Sequence, residues 1–323
     1  MPVIKESTYK APRPFRNAHL CTMFPALFRK PQLLRPYRRE RIDTPDGDFL
    51  DLDWMDQKTD RIVILCHGLE GHTDRQYMVG MANIFYRAGF NVLAWSYRGC
   101  SGETNKKLQM YHSGATYDLE TVVTHANQSG FESIFLVGFS LGANLILKYL
   151  GEYSHPYLKA ATVFSAPIDL YSGSLHIQKR QNFIYNIRFL RSLKKKVIQK
   201  AAQYPNDISL EPFQKVRTLM DFDDAYTAPI HGFENALDYY EKCSSRHFLK
   251  NISLPTLVVN ALNDPFLSPE CLDRTLFEDL ENVYFETPHH GGHVGFISKN
   301  EDGHYWSEKR ALAFCEEHIA DRR

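Results

Sequence analysis

The chain has 323 residues, 43% of them apolar and 24% charged, with Lys+Arg and Asp+Glu balanced at 38 each. This size suits one large α/β core carrying an insertion, and the composition is that of a globular chain rather than a disordered one by default. A formal net charge of zero gives no summed field to favour nucleic acid or an anionic membrane as an obligate partner.

Residues 1 to 35 are rich in Pro, Arg and aromatic residues without a clear period, so they are expected to wrap the surface. The opening "MPVIKESTYKAPRPF" lacks the apolar centre of a secretory signal. No run approaches the roughly 18 apolar residues of a membrane span, and a cytoplasmic protein is expected, with peripheral membrane contact left open. The six cysteines, Cys21, Cys66, Cys100, Cys243, Cys271 and Cys315, show no C-x-x-C spacing, which fits a reducing compartment.

"RRERIDTPDGDFLDLDW" alternates around Asp46-Gly47, the pattern of a β-hairpin. Short apolar runs follow at 61–67, 91–97, 133–139, 160–166, 255–262 and 282–288, reading as parallel strands buried on both faces. Amphipathic segments near 75–88, 114–128, 141–153, 269–279 and 304–320 fit helices between them. The alternation predicts a doubly wound, mostly parallel sheet formed by residues 36–167 and 251–323, with the antiparallel hairpin at its start. Ligands of such sheets bind at the carboxyl ends of the strands. Residues 168–250 lack strand-like runs and read as a helical cap, in which the basic stretch "FLRSLKKKVIQKAAQ" is expected to be a solvated helix face.

Gly138-Phe139-Ser140-Leu141-Gly142 matches G-x-S-x-G between an apolar strand and a helical pattern. A strand-to-helix elbow forces its central residue into a strained conformation that only glycines two positions away can accommodate. The pentapeptide alone is equally compatible with Ser140 as a helix N-cap. The balance tips on chain order, because this scaffold needs an acid and then a histidine after the serine. "VVNALNDPFLS" offers Asp264 just beyond a strand, with Asp273 and Asp279 as rivals inside an expected helix. "TPHHGGHVGF" offers His293, whose two preceding glycines allow its loop to approach the elbow closely. His289 and His290 read as structural, His304 as the start of the last helix, and a metal at His289, His290 and His293 is disfavoured because that spacing does not by itself assemble tetrahedral ligands. The oxyanion donors expected are the backbone amides of Leu141 and of Leu69, the latter in "CHGLEGH", where His67 is read as a brace. Cys100 is a weaker nucleophile candidate lacking the elbow. "YRGCSGE" and "YHSGATYDLE" are expected to shape the floor of the site.

Taken in order, "HGLEG", "YRGCSG", "YHSG", "GFSLGAN", "FDDAYTAPIHGF", "NALNDPF" and "HHGGHVGF" resemble the YheT-like branch of the α/β-hydrolase superfamily, also called the family 4 esterases. The likeness runs nearly the whole chain from "NAHLCTMFP". It implies an α/β-hydrolase fold, carboxylic-ester hydrolysis and a Ser140, Asp264, His293 triad. The chain departs from the family pattern at Cys21, where many members carry glutamine, and at Asn263, where they often carry aspartate. Both departures leave the triad whole and bear on substrate contacts near the N-terminus.

The expected activity is therefore that of a serine esterase acting through an acyl-enzyme on a small-molecule or lipid-like ester, with no metal or cofactor. Phe183, Tyr185, Phe189, Phe222 and Tyr226 are expected to wall an acyl pocket. Thioesterase and lysophospholipase share this machinery, and a non-catalytic scaffold of the same fold is the alternative of another class.

Overall fold

The computed structural model describes residues 2–299 and 302–319. Among the described residues nine strands form one sheet in the order β1-β9-β8-β7-β6-β4-β5-β3-β2. They are β1 (Val3–Ile4), β2 (Arg38–Asp43), β3 (Phe49–Met55), β4 (Arg61–Cys66), β5 (Asn91–Ser96), β6 (Ser133–Phe139), β7 (Leu158–Phe164), β8 (Thr256–Val259) and β9 (Val283–Glu286).

The Asp46-Gly47 hairpin forms as its sequence requires, with β2 antiparallel to β3 and Gly47 at a φ of 82°. β3 also runs antiparallel to β5, and the remaining pairs are parallel. β4, β5 and β6 are buried almost throughout, because helices cover both faces of the sheet.

Those helices are α1 (Ala18–Phe28), α2 (Gln76–Arg87), α3 (Thr116–Gln128) and α4 (Leu141–Glu152), followed by a helical run of α5 (Leu170–Ile177), α6 (Phe183–Gln203), α7 (Leu219–Phe222), α8 (Ala228–His231) and α9 (Ala236–Cys243). A single π-helical turn, Asp223–Thr227, joins α7 to α8. The last helix, α10, is Trp306–Glu317; the final residue of its expected span, 320, lies outside the described residues. α4 is the most buried helix, with every position from Leu141 to Leu150 enclosed between the sheet and its neighbours.

Three expectations are corrected. Residues 1 to 35 do more than wrap the surface: β1 extends the sheet beside β9, and Tyr9, Ala11 and Cys21 enter the core. They contribute single side chains, which leaves no period in the sequence. Residues 269–279 form two 3₁₀ turns, Pro269–Leu272 and Arg274–Phe277, because Asp273 sits extended between them and its carboxylate accepts the Thr275 amide. The basic stretch in α6 is not wholly solvated. Lys200 is buried and donates to the Asn105 carbonyl at 2.7 Å, and Lys196 pairs with Glu70 at 2.9 Å.

Candidate active site

Ser140 stands between the end of β6 and the first residue of α4 with φ 54° and ψ −117°. This region is costly for a residue with a side chain and persists only when its surroundings enforce it. The two glycines provide that enforcement. A Cβ on Gly142 would lie 2.5 Å from the Cys66 carbonyl oxygen and 2.6 Å from that of His67, and one on Gly138 would lie 2.6 Å from the Gly142 carbonyl oxygen. The Ser140 side chain caps nothing in α4, so the N-cap reading fails. Its Oγ lies instead 2.9 Å from His293 Nε2.

Asp264 lies on the loop after β8 with its carboxylate fully enclosed. Its two oxygens stand 3.0 and 2.9 Å from His293 Nδ1, and the Phe266 amide donates to Oδ1 at 2.9 Å. The structure therefore brings Ser140, His293 and Asp264 into one hydrogen-bonded line from three loops at the same edge of the sheet. Asp273 and Asp279 are exposed away from it, His289 is exposed, and His304 bonds to Glu308.

The His293 loop is held by groups to which the sequence assigned no such role. The His293 amide donates to Thr22 Oγ1, that of Val294 to Ser165 Oγ and that of Gly292 to Asn263 Oδ1, at 2.9, 2.9 and 3.0 Å. The Phe266 ring stacks on the imidazole with centroids 4.0 Å apart. The glycines before His293 do permit a close approach, but the partner is α1 rather than the elbow: a Cβ on Gly292 would lie 2.8 Å from Thr22 Oγ1 and 2.9 Å from the Ala18 carbonyl oxygen. Cys21 is buried and its thiol donates to the Gly291 carbonyl at 3.0 Å. The departure from the family pattern at position 21 thus bears on the support of the histidine loop. Asn263, the other departure, ties Gly292 to the Arg16 carbonyl. The signal for Thr22 was the motif "NAHLCTMFP", whose position against the histidine loop only the fold reveals.

In the loop after β4, the Gly68 amide donates to the Tyr77 hydroxyl, that of Glu70 to the Tyr111 hydroxyl and that of Gly71 to the Gly68 carbonyl. Among the described residues the intervening Leu69 amide meets no protein acceptor. Leu141 is the first residue of α4, so its amide has no partner within the helix. Both residues line the cavity into which Ser140 opens.

His67 is fully buried, its Nδ1 2.8 Å from the Gly68 carbonyl oxygen and its Nε2 accepting the Tyr97 amide. Burial pushes its pKa down to about 3, so it braces the loop as a neutral ring. The Cys100 thiol is raised by burial although Lys196 lies 2.8 Å away. Among the described residues no group of three or more His, Cys, Asp or Glu side chains is disposed to hold a metal.

The cavity spans about 1060 Å³ of atom-free space, part of it open to solvent. Leu170, Ile177, Leu193 and Leu219 supply much of its apolar wall, and Phe189 and Phe222 line it as expected. Tyr185 lines a second opening onto Ser140, Tyr226 packs against Phe213 and Phe222 inside the helical region, and Phe183 is exposed. Lys196, whose ammonium is committed to Glu70 and Cys100, lines the cavity too, as do Asp223, Thr227 and Tyr240. The Asp223 carboxylate, pushed up to about 6 by burial, accepts from the Thr227 and Tyr240 hydroxyls.

These buried groups predict the stability profile. His67 and His231, the latter pushed down to about 4, and His112, also well below its usual value, stay neutral when folded, whereas the unfolded chain titrates each near 6.5. A histidine with a depressed folded pKa contributes stability above its unfolded pKa and loses it as the pH falls. Stability is therefore expected to drop between pH 6.5 and about 4 by up to ~1.4 kcal/mol per pH unit for each of the three. Asp223, raised in the folded state, offsets part of this from about pH 6 downward. Urea unfolding at pH 7 and pH 5 measures it, and an unchanged midpoint would contradict the burial of these rings.

A mostly parallel sheet with helices on both faces and a sharp serine turn at the strand ends defines the α/β-hydrolase class. The family model described as "alpha/beta hydrolase fold" matches residues 61–300. YheT of Escherichia coli (strain K12), whose name classes it with the esterases, is 37% identical over 295 residues, covering 88% of this chain and 86% of that one. The phospholipase ABHD3 of Bos taurus is 28% identical, over 92% of this chain and 74% of its own. The chain belongs to the α/β-hydrolase family, on its YheT-like esterase branch. Solved structures share the fold at low identity, among them the Pyrococcus furiosus esterase Pf2001 (TM-score 0.60, 17% identity, 88% of this chain and 91% of that one) and the α/β hydrolase GrgF of Penicillium sp. sh18 (TM-score 0.61, 16%, 88% and 100%).

Proposed function

We propose that the chain is a carboxylesterase-type serine hydrolase working through an acyl-enzyme. The observation that carries this reading is the 2.9 Å contact between Ser140 Oγ and His293 Nε2, made by a serine at positive φ that caps no helix. His293 takes the Ser140 proton as Oγ attacks the ester carbonyl, and Asp264 holds the imidazole tautomer and stabilises the imidazolium. The amides of Leu69 and Leu141 receive the oxyanion, where preorganised donors are most effective. Collapse of the tetrahedral species expels the alcohol, protonated by the His293 imidazolium, and water activated by the neutral ring so restored then releases the acid.

The apolar cavity supports an acyl chain of some length as the group it accepts. The names of relatives that act on phospholipid and monoacylglycerol are consistent with a lipid-like ester. Six free cysteines support a reducing compartment such as the cytoplasm. A fluorophosphonate probe provides the test: labelling at Ser140, mapped by peptide mass spectrometry and blocked by prior denaturation, is the expected result. Folded protein that takes up no label would make the chain a non-catalytic member of its family.

A further inference from the structure

We propose that the face formed by α1 and the start of α6 docks on an anionic phospholipid surface and turns the second opening of the site toward it. The inference rests on the esterase reading for its purpose but not for its geometry.

α1 is amphipathic in an unusual sense. Cys21 and Pro25 face the core, and Thr22, Met23 and Ala26 line the opening onto Ser140. Leu20, Phe24, Leu27 and Phe28, spaced i, i+4, i+7 and i+8, share the remaining face and are bare; Leu27 is 57% and Phe28 67% exposed. The start of α6 repeats the pattern. Tyr185, Arg188 and Phe189 line the same opening, while Phe183 and Ile184 are 59% and 67% exposed. The two helices are joined by a 3.1 Å contact between His19 Nδ1 and the Tyr185 hydroxyl, so the bare side chains belong to one rim. Scattered exposed apolar residues are ordinary, but a stripe of them bordering a catalytic opening marks an interaction surface.

Charge identifies the occupant. The zero net charge conceals a strong segregation: residues 7–39 and 170–206 contain no Asp or Glu and carry eight Lys or Arg each. Around the rim Arg13, Arg16, Lys30, Lys179, Arg180 and Arg191 are exposed, and among the described residues none pairs with a carboxylate. Arg188, at the opening itself, is likewise unpaired and feels Arg75 as a like charge. A bare apolar stripe flanked by uncompensated cations suits an interface of acyl chains beneath anionic headgroups. No helix among the described residues is long and apolar enough to cross a membrane, so the face lies on the surface rather than spanning it.

The test is flotation of the full chain with vesicles of phosphatidylcholine alone or with about one third phosphatidylglycerol. Wild type is expected to bind the anionic vesicles about tenfold better, an advantage lost in high salt. Leu27→Ser with Phe28→Ser should cut that binding about tenfold or more, and Arg180→Glu with Arg191→Glu should abolish the preference for anionic lipid. Both variants should keep wild-type turnover of a soluble short-chain p-nitrophenyl ester, which also verifies their fold.

Equal binding to both vesicle types, or a Leu27→Ser, Phe28→Ser protein that floats like wild type, would overturn the proposal. So would wild type that ignores vesicles while this variant turns a dimer into a monomer, which would make the face a contact between copies. The Ser140→Ala protein should still float. Lost flotation with intact soluble turnover sinks the docking alone, and intact flotation with no turnover and no probe labelling sinks the esterase reading alone.

Discussion

Ser140→Ala is expected to lower turnover of a soluble p-nitrophenyl ester by about 10⁶-fold, down to whatever oxyanion stabilisation and binding alone supply. The fold should be indifferent to the change. Alanine retains the Cβ that the strained backbone already accommodates, so the steric enforcement by Gly138 and Gly142 persists unaltered. Among the described residues the Oγ bonds only to His293, and the imidazole keeps its bonds to Asp264 and its stacking on Phe266. Thermal unfolding should therefore stay near wild type while kcat collapses and fluorophosphonate labelling disappears. A variant with more than about a tenth of wild-type turnover would show that another group attacks the ester, and the assignment of Ser140 would fall.

The elbow could be read in the sequence because the residues it constrains fall within five positions, even though two of the carbonyls that leave no space for a Cβ, those of Cys66 and His67 at position 142, come from the distant loop after β4. Asp264 and His293 were legible for a related reason, since each follows an apolar strand and the parallel sheet delivers all such loops to one edge. The supports of the histidine were not. Thr22 acts on His293 from 271 residues away, and Ser165 on Val294 from 129, through single hydroxyls that resemble any other Ser or Thr. The basic face of α6 misled for a different reason. An amphipathic pattern shows which side is polar, but Glu70 and the carbonyls of Asn105 and Lys107, which cover Lys196 and Lys200, lie on distant loops. Likewise, zero net charge is a sum that says nothing of the acid-free segments beside the opening.

Asp264→Asn is expected to cost about 10⁴-fold in kcat with little change in KM, because its surroundings dictate where the amide group must point. The Phe266 amide donates to Oδ1, so the asparagine keeps its carbonyl oxygen there and sets its NH₂ at the Oδ2 position, 2.9 Å from His293 Nδ1. A donor facing Nδ1 requires that nitrogen to be the acceptor, which moves the ring proton to Nε2. Nε2 then points a proton at Ser140 Oγ across the same 2.9 Å and cannot take one from it. The negative charge that would stabilise the imidazolium is lost in the same substitution. Substrate contacts are untouched, hence the unchanged KM. The residual rate should climb with pH above the wild-type plateau as hydroxide replaces the disabled base, a signature that a merely loosened loop would lack. An asparagine variant that keeps a tenth of wild-type kcat with an unaltered pH profile would remove Asp264 from the catalytic line and return the role to another carboxylate.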